Sequence, residues 1–223
     1  MARIIIFDVD STLLKVESLD FAVERALAGQ PGGKARAAEL AEITDKGMAG
    51  ALDFRQSLEV RISMAGLTRG DVEDAAQALA FELTPGMAEL LEKLRARSAG
   101  VFAVSGGFAE LVSPALDALG FAPGDIRANR FVFDTDGNVS DFDRDNPLSR
   151  SGGKGPVAAA LKSLTGADLA VMVGDGITDY EAFAGGGADA FIGFGGVVRR
   201  EAVAQRAPAF AGSVDELAKL LGV

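Results

Sequence analysis

Neither cysteine nor histidine occurs among the 223 residues of the chain. Those absences exclude a thiol nucleophile, a Cys/His zinc site, a Ser-His triad and an imidazole acid or base. Chemistry is left to carboxylates, lysine, arginine, hydroxyls and backbone amides. Positive charge is also scarce: 22 Lys and Arg face 32 Asp and Glu, for a net charge of −10. Coulomb repulsion then opposes encounter with nucleic acid or an anionic membrane, and a small anionic substrate needs a local cation. No stretch approaches the roughly 20 apolar residues of a membrane span, and Ile4 to Phe7 is too short for the core of a signal peptide. The expectation is a cytoplasmic protein with a small-molecule substrate and no nucleic-acid or membrane partner, a compartment that the lack of cysteine suits. Monomer and homodimer both stay open.

What the chain does have is core. At 48% hydrophobic and 24% charged, it suits one large or two unequal soluble domains. Arg3 to Phe7 is short, β-branched and apolar on both faces, the pattern of a strand buried in a parallel sheet. Val101–Val104, Leu169–Val173 and Ala190–Ile192 repeat it. Helical patterns lie between. One opens with Thr84 as N-cap and Pro85 in first position, then carries Met87, Leu90, Leu91 and Leu94 on one face. Another starts at Gly155-Pro156, presents Val157, Leu161 and Leu164, and stops at Gly166. A third covers Phe108 to Leu119, where Pro114 predicts a kink or a late start. Strand–helix alternation predicts an open, mostly parallel α/β sheet with helices on both faces. Asp136-Gly137, between two alternating runs, predicts a small β-hairpin within 131–142. Residues 15–80 are helical throughout, broken at 29–33, and read as an inserted helical cap on a core of 1–14 and 81–223.

In an open parallel sheet, ligands bind beyond the carboxyl ends of the strands. The residues following each strand are Asp8 and Asp10; Ser105, Gly106 and Gly107; Asp175, Thr178 and Asp179; and Gly193 to Gly196. All should converge on one rim. One carboxylate in such a loop is usually a helix cap, but four loops together are not explained that way. Bare neighbouring carboxylates are unstable: two like charges ~4 Å apart repel by about 4 kcal/mol at an effective dielectric near 20. An oxygen-only ligand set suits Mg²⁺. Lys154 supplies a second cation, just before a helix start that favours an anion. Metal, lysine, a Ser-Gly-Gly turn and an ionised aspartate compose a phosphoryl-transfer site. With an ordinary pKa near 3.9, an aspartate attacks without a general base, as a serine could not. Other motifs fail on spacing. Ser151–Gly155 has Gly155 where a P-loop needs Ser or Thr, Gly193–Val198 lacks the third glycine of a dinucleotide fingerprint, and Asp134–Asn138 is a hairpin turn rather than a calcium loop.

DVDST at Asp8–Thr12, VSGGF at Val104–Phe108, SGGKG at Ser151–Gly155 and GDGITD at Gly174–Asp179 resemble, in order, the motifs of the haloacid dehalogenase superfamily. The likeness extends nearly end to end, through TPGM at Thr84, ANRFVF at Ala128 and DAFIGFGG at Asp189. The resemblance implies a Rossmann-like core and hydrolysis of O-phospho-L-serine to L-serine and phosphate, the last step of serine biosynthesis. Asp8 would be the nucleophile that forms an aspartyl-phosphate, and Asp10 would be first acid and then base. Mg²⁺ would be held by Asp8, the backbone carbonyl of Asp10, and Asp175, with Asp179 close by. Ser105, Gly106, Gly107, Lys154 and Thr178 would surround the phosphate. Glu17 would meet the substrate ammonium, Arg61 its carboxylate, and Met48 and Phe54 would form a lid. Ala49 and Lys15 depart from the family's more usual glycine and arginine. The pattern of the residues supports Arg61 independently: on a helix at ~100° per residue it falls ~20° from Phe54, on the edge of a stripe with Leu58 and Ile62, where solvation alone would not put a charge. Transfer of the phosphoryl group to a hydroxyl compound such as homoserine instead of water, or hydrolysis of another small phosphate monoester, is an alternative with the same residues.

Overall fold

The computed structural model describes residues 2–48, 51–97 and 100–223, without the side chain of Met48. The Ala49 substitution and the side chain of Met48, expected in the lid, therefore lie outside the described residues. The strands are β1 (Arg3–Phe7), β2 (Gly100–Phe108), β3 (Ile126–Asn129), β4 (Phe131–Phe133), β5 (Val139–Phe142), β6 (Leu169–Gly174), β7 (Ala190–Phe194) and β8 (Ala209–Ala211). Six of them form one sheet in the order β3-β2-β1-β6-β7-β8, every pairing parallel. The order reverses beside β1, so a crevice opens between the carboxyl ends of β1 and β6. Because successive side chains point to opposite faces, Ile5, Phe7, Val171 and Val173 enter one core, and Ile4, Ile6, Ala170 and Met172 the other. This two-sided burial is why the strands are apolar at consecutive positions. β4 and β5 form the antiparallel hairpin, turning at Gly137 with φ 85°.

The chain leaves the sheet after β1 and returns at Leu83, which bridges Leu14; the Lys15 amide donates to the Glu82 carbonyl at 2.9 Å. Between these points lie α1 (Ser18–Ala26), α2 (Gly33–Met48), α3 (Phe54–Ala65) and α4 (Arg69–Leu79). They share one hydrophobic core with the sheet, in which Leu19, Leu40, Leu58 and Leu79 join Ile5 and Phe7. After the return come α5 (Met87–Ala96), α6 (Ala109–Ala118), α7 (Lys154–Thr165), α8 (Ile177–Ala184), α9 (Glu201–Ala204) and α10 (Val214–Leu221). Among the described residues no helix is long and apolar enough to cross a membrane.

Several local expectations are corrected. Thr84-Pro85 does not open α5. Thr84 to Met87 is a turn with Gly86 at φ 85°, and the helix begins at Met87, because Pro-Gly satisfies a type II turn. α6 starts ahead of Pro114 and runs through it, since Leu111, Val112, Ala115 and Leu116 are all buried and outweigh one lost backbone bond. In α7 the buried positions are Lys154, Gly155, Ala158 and Leu161, whereas Leu164 is 75% exposed. That face centres near Ala158, from which Leu164 lies ~120° around the helix. Ser105 to Gly107 are not a turn after the strand: β2 continues to Phe108, with a register break against β3 after Val104. The short edge strands β3 and β8 carry too little apolar pattern to be read in advance.

Candidate active site

The crevice is built from strand ends. The Asp8 amide donates to the Val173 carbonyl of β6 at 2.8 Å, which fixes the start of the loop after β1. That loop is one wide turn, closed by the Leu14 amide on the Val9 carbonyl at 2.9 Å. Ser11 stands in it at φ 51°, the single non-glycine with positive φ among the described residues. Such a backbone persists only where surroundings enforce it, and it lets the Ser11 hydroxyl donate to Glu17 Oε1 at 2.7 Å.

Lys154 Nζ lies 2.6 Å from Asp8 Oδ1 and 2.6 Å from Asp179 Oδ1, all three side chains buried. Asp179 also accepts from the Gly176 amide at 3.0 Å. Position 174 must be glycine for this, because a Cβ there would come within 2.3 Å of Asp179 Cγ. Asp175 is held by the Thr12 hydroxyl at 3.4 Å and by Arg200 Nε at 2.8 Å. Asp10 accepts from the Ser18 hydroxyl at 2.9 Å through Oδ2, while its Oδ1 is buried without a partner. Ser18 is the first residue of α1 and donates to Asp10; Glu17 is the N-cap.

Asp8, Asp10, Glu17, Phe54, Arg61, Ser105, Gly106, Gly107, Lys154 and Thr178 all line one cleft. Every expected site residue with a described side chain is there, except Asp175 and Asp179, which sit beneath its floor against Asp8 and Lys154. The Phe54 ring covers Gly106 so closely that a Cβ would lie 2.6 Å from its Cζ. Glu17 accepts from Arg200 Nη2 at 3.3 Å. Arg61 Nη2 donates to Asp20 at 2.8 Å, and its Nε is buried without a partner.

Charge is out of balance here. Burial, then the charges of Glu17 and Asp8, push the Asp10 carboxyl well above the usual range. The same causes raise Asp175, partly offset by Arg200. Burial and the charge of Asp8 lift Asp179 to about 7 against the pull of Lys154. Burial also raises Glu17, against its bonds to Ser11 and Arg200. For Lys154 burial acts downward, but the carboxylates of Asp179 and Asp8 outweigh it and hold the ammonium firmly charged. The buried carboxylates outnumber their cations.

One oxygen each of Asp8, Asp175 and Asp179 lies within 4.8 Å of the other two. Three hard donors with excess negative charge fit a divalent metal ion. Asp10 is not among these three; its Oδ2 accepts from Ser18.

Sequence reasoning missed Arg200, which reaches Asp175, Glu17 and, at 3.5 Å, Asp45 of α2. Its signal was the Arg199-Arg200 pair beyond β7, in an acidic chain, on a rim already marked by glycines. It also missed Thr12 and Ser18 as supports and Asp20 as partner of Arg61; no local pattern marks these.

Residues 2–187 match the model of the haloacid dehalogenase-like hydrolases, and the chain belongs to that family. Within it, the chain is 36% identical to phosphoserine phosphatase of Rattus norvegicus over 221 residues, 99% of this chain and 92% of that one. It is 37% identical to the chloroplastic phosphoserine phosphatase of Arabidopsis thaliana over 201 residues, 90% of this chain but 65% of the relative's length. A solved phospho-aspartyl intermediate analogue of phosphoserine phosphatase superposes with a TM-score of 0.83 at 29% identity, covering 98% of each chain.

Proposed function

We propose that the chain is a Mg²⁺-dependent phosphatase that hydrolyses O-phospho-L-serine to L-serine and phosphate, the closing reaction of serine biosynthesis. One observation carries this reading: Asp8 bound to Lys154 at 2.6 Å, in the same cleft as an aspartate with a buried, unpartnered oxygen. Asp8 attacks phosphorus and becomes an aspartyl-phosphate. Asp10, whose carboxyl is pushed well above the usual range by burial and by its anionic neighbours, gives a proton to the departing serine oxygen. As a carboxylate it then takes a proton from the water that hydrolyses the acyl phosphate. Lys154, the Ser105 hydroxyl and the Gly106 amide hold the phosphoryl oxygens, with Thr178 beside them. Asp8, Asp175 and the Asp10 carbonyl would hold Mg²⁺, with Asp179 in support, and the ion would supply positive charge between an anionic nucleophile and an anionic ester.

Residues 15–80 act as a cap over a core of 1–14 and 81–223. Glu17 meets the substrate ammonium, Arg61 its carboxylate, and Phe54 closes over Gly106. One group of each sign suits a zwitterionic amino acid better than a sugar phosphate. The cysteine-free composition suits a reducing compartment, and we place the reaction in the cytoplasm.

The test is phosphate release from phosphoserine, phosphothreonine and sugar phosphates, with Mg²⁺ and with chelator. Phosphoserine should be the best substrate by at least tenfold in kcat/KM, a preference of about 1.4 kcal/mol, and chelator should abolish turnover. A sugar phosphate cleaved faster than phosphoserine would defeat the assignment.

A further inference from the structure

Arg61 is a puzzle of placement. It is buried on α3, yet it lines the cleft and is already paired inside the protein. Its Nη2 donates to Asp20 Oδ1 at 2.8 Å, and the same oxygen accepts from the Thr44 hydroxyl at 2.8 Å. Side chains from α1, α2 and α3 therefore meet at one carboxylate oxygen. A purely structural ion pair explains that contact but leaves Nε unexplained, since it is buried with no acceptor in the protein. Buried donors are almost always satisfied, so the missing acceptor belongs to something that enters the cleft. Guanidinium is planar and rigid, so holding one nitrogen restricts the plane and with it the direction of the free Nε–H.

We propose that Asp20, itself held by Thr44, is a positioning residue that aims Arg61 Nε at the substrate carboxylate; the inference rests on the phosphoserine reading above. Asp20 touches no reacting atom. It removes rotamer freedom from a long side chain before the substrate arrives, so less ordering is left for the binding step. Thr44, buried and also in reach of the Leu40 carbonyl at 3.2 Å, ties that orientation to α2. Selectivity for an amino-acid phosphate is then a property of three packed helices, not of one arginine.

The experiment is a double-mutant cycle read as the ratio of kcat/KM for phosphoserine to kcat/KM for an aryl phosphate without a carboxylate. Asp20→Ala should lower that ratio by about tenfold, mainly through KM for phosphoserine, and Asp20→Glu should recover part of it. In an Arg61→Ala background the same substitution should change the ratio by less than about twofold, because Asp20 acts only through Arg61. Thr44→Val should act in the same direction by roughly threefold, and it serves if Asp20→Ala does not fold. A ratio unmoved by Asp20→Ala and Thr44→Val, equal losses on both substrates, or an undiminished effect without Arg61 would each overturn the proposal. Wild-type protein inactive on phosphoserine would instead bring down the functional reading, and this one with it.

Discussion

The floor of the cleft and its roof are held together by different means. On the floor, Asp8, Asp175 and Asp179 stand at the ends of β1 and β6 or one turn beyond, and the backbone of a parallel sheet delivers them: Asp8 is anchored by its own amide on Val173. On the roof, Glu17 and Arg61 come from helical segments and are placed by side-chain pairs, with Ser11 and Arg200 on one and Asp20 on the other. A sheet register is cooperative and hard to shift. A side-chain pair is a single contact that one substitution removes. On the proposed reading, the chemistry is tied to sheet backbone and the choice of substrate to side-chain pairs. Arg200 joins the two, with Asp175 below and Glu17 and Asp45 above.

The contrast can be broken most forcefully at Asp8. Asp8→Asn keeps the shape and removes the proposed nucleophile, and phosphate release from every substrate should fall by about 10⁴-fold or more. Turnover that persists at wild-type level would place the chemistry elsewhere. On the roof, Arg61→Ala should raise KM for phosphoserine by roughly 10- to 100-fold, the loss of one charged hydrogen-bonding group. Slow hydrolysis of an aryl phosphate should survive, and equal loss on both esters would erase the distinction between floor and roof.

The smallest effect is thermodynamic and belongs to the floor alone. Asp179 is lifted to about 7, and Asp10 and Asp175 are raised too, so the folded metal-free protein binds these protons more tightly than the unfolded chain does. A free aspartate titrates near 3.9, so stability from these groups is fully present below about pH 4 and drains away as pH climbs toward 7. The melting temperature of the metal-free protein should fall across that window. Mg²⁺ at pH 7 should raise it by several degrees and flatten the slope, as expected for a ligand of the folded state. A metal-free melting temperature that rises from pH 4 to 7 would contradict the charge excess.

Much of this architecture is legible in the chain, and the reasons are local. β1, β6 and β7 are visible because strands buried on both faces must be apolar at consecutive positions. The hairpin is visible because Gly137 needs a positive φ. Thr84-Pro85-Gly86 was misjudged because the same residues suit a helix start and a type II turn, and only the neighbouring Gly86 decides for the turn. Leu164 was misjudged because the pattern of α7 was read from its hydrophobic residues, whereas its most important buried member is charged. Lys154 can be buried because Asp8 and Asp179 wait for it, and neither is near it in the sequence.

From its own residues the chain determined the kind of chemistry. Without cysteine or histidine, and with aspartates after β1 and β6 and a lysine to face them, an aspartate-led phosphoryl transfer is the chemistry that the residues suit. Tertiary structure alone decided who partners whom: Arg200 with Asp175 and Glu17, Ser18 with Asp10, Asp20 and Thr44 with Arg61. Strand ends converge because backbone hydrogen bonding obeys a small set of rules that sequence periodicity reveals. Pairs between distant side chains obey none that a single chain displays, since each depends on how closely two separate elements come to rest.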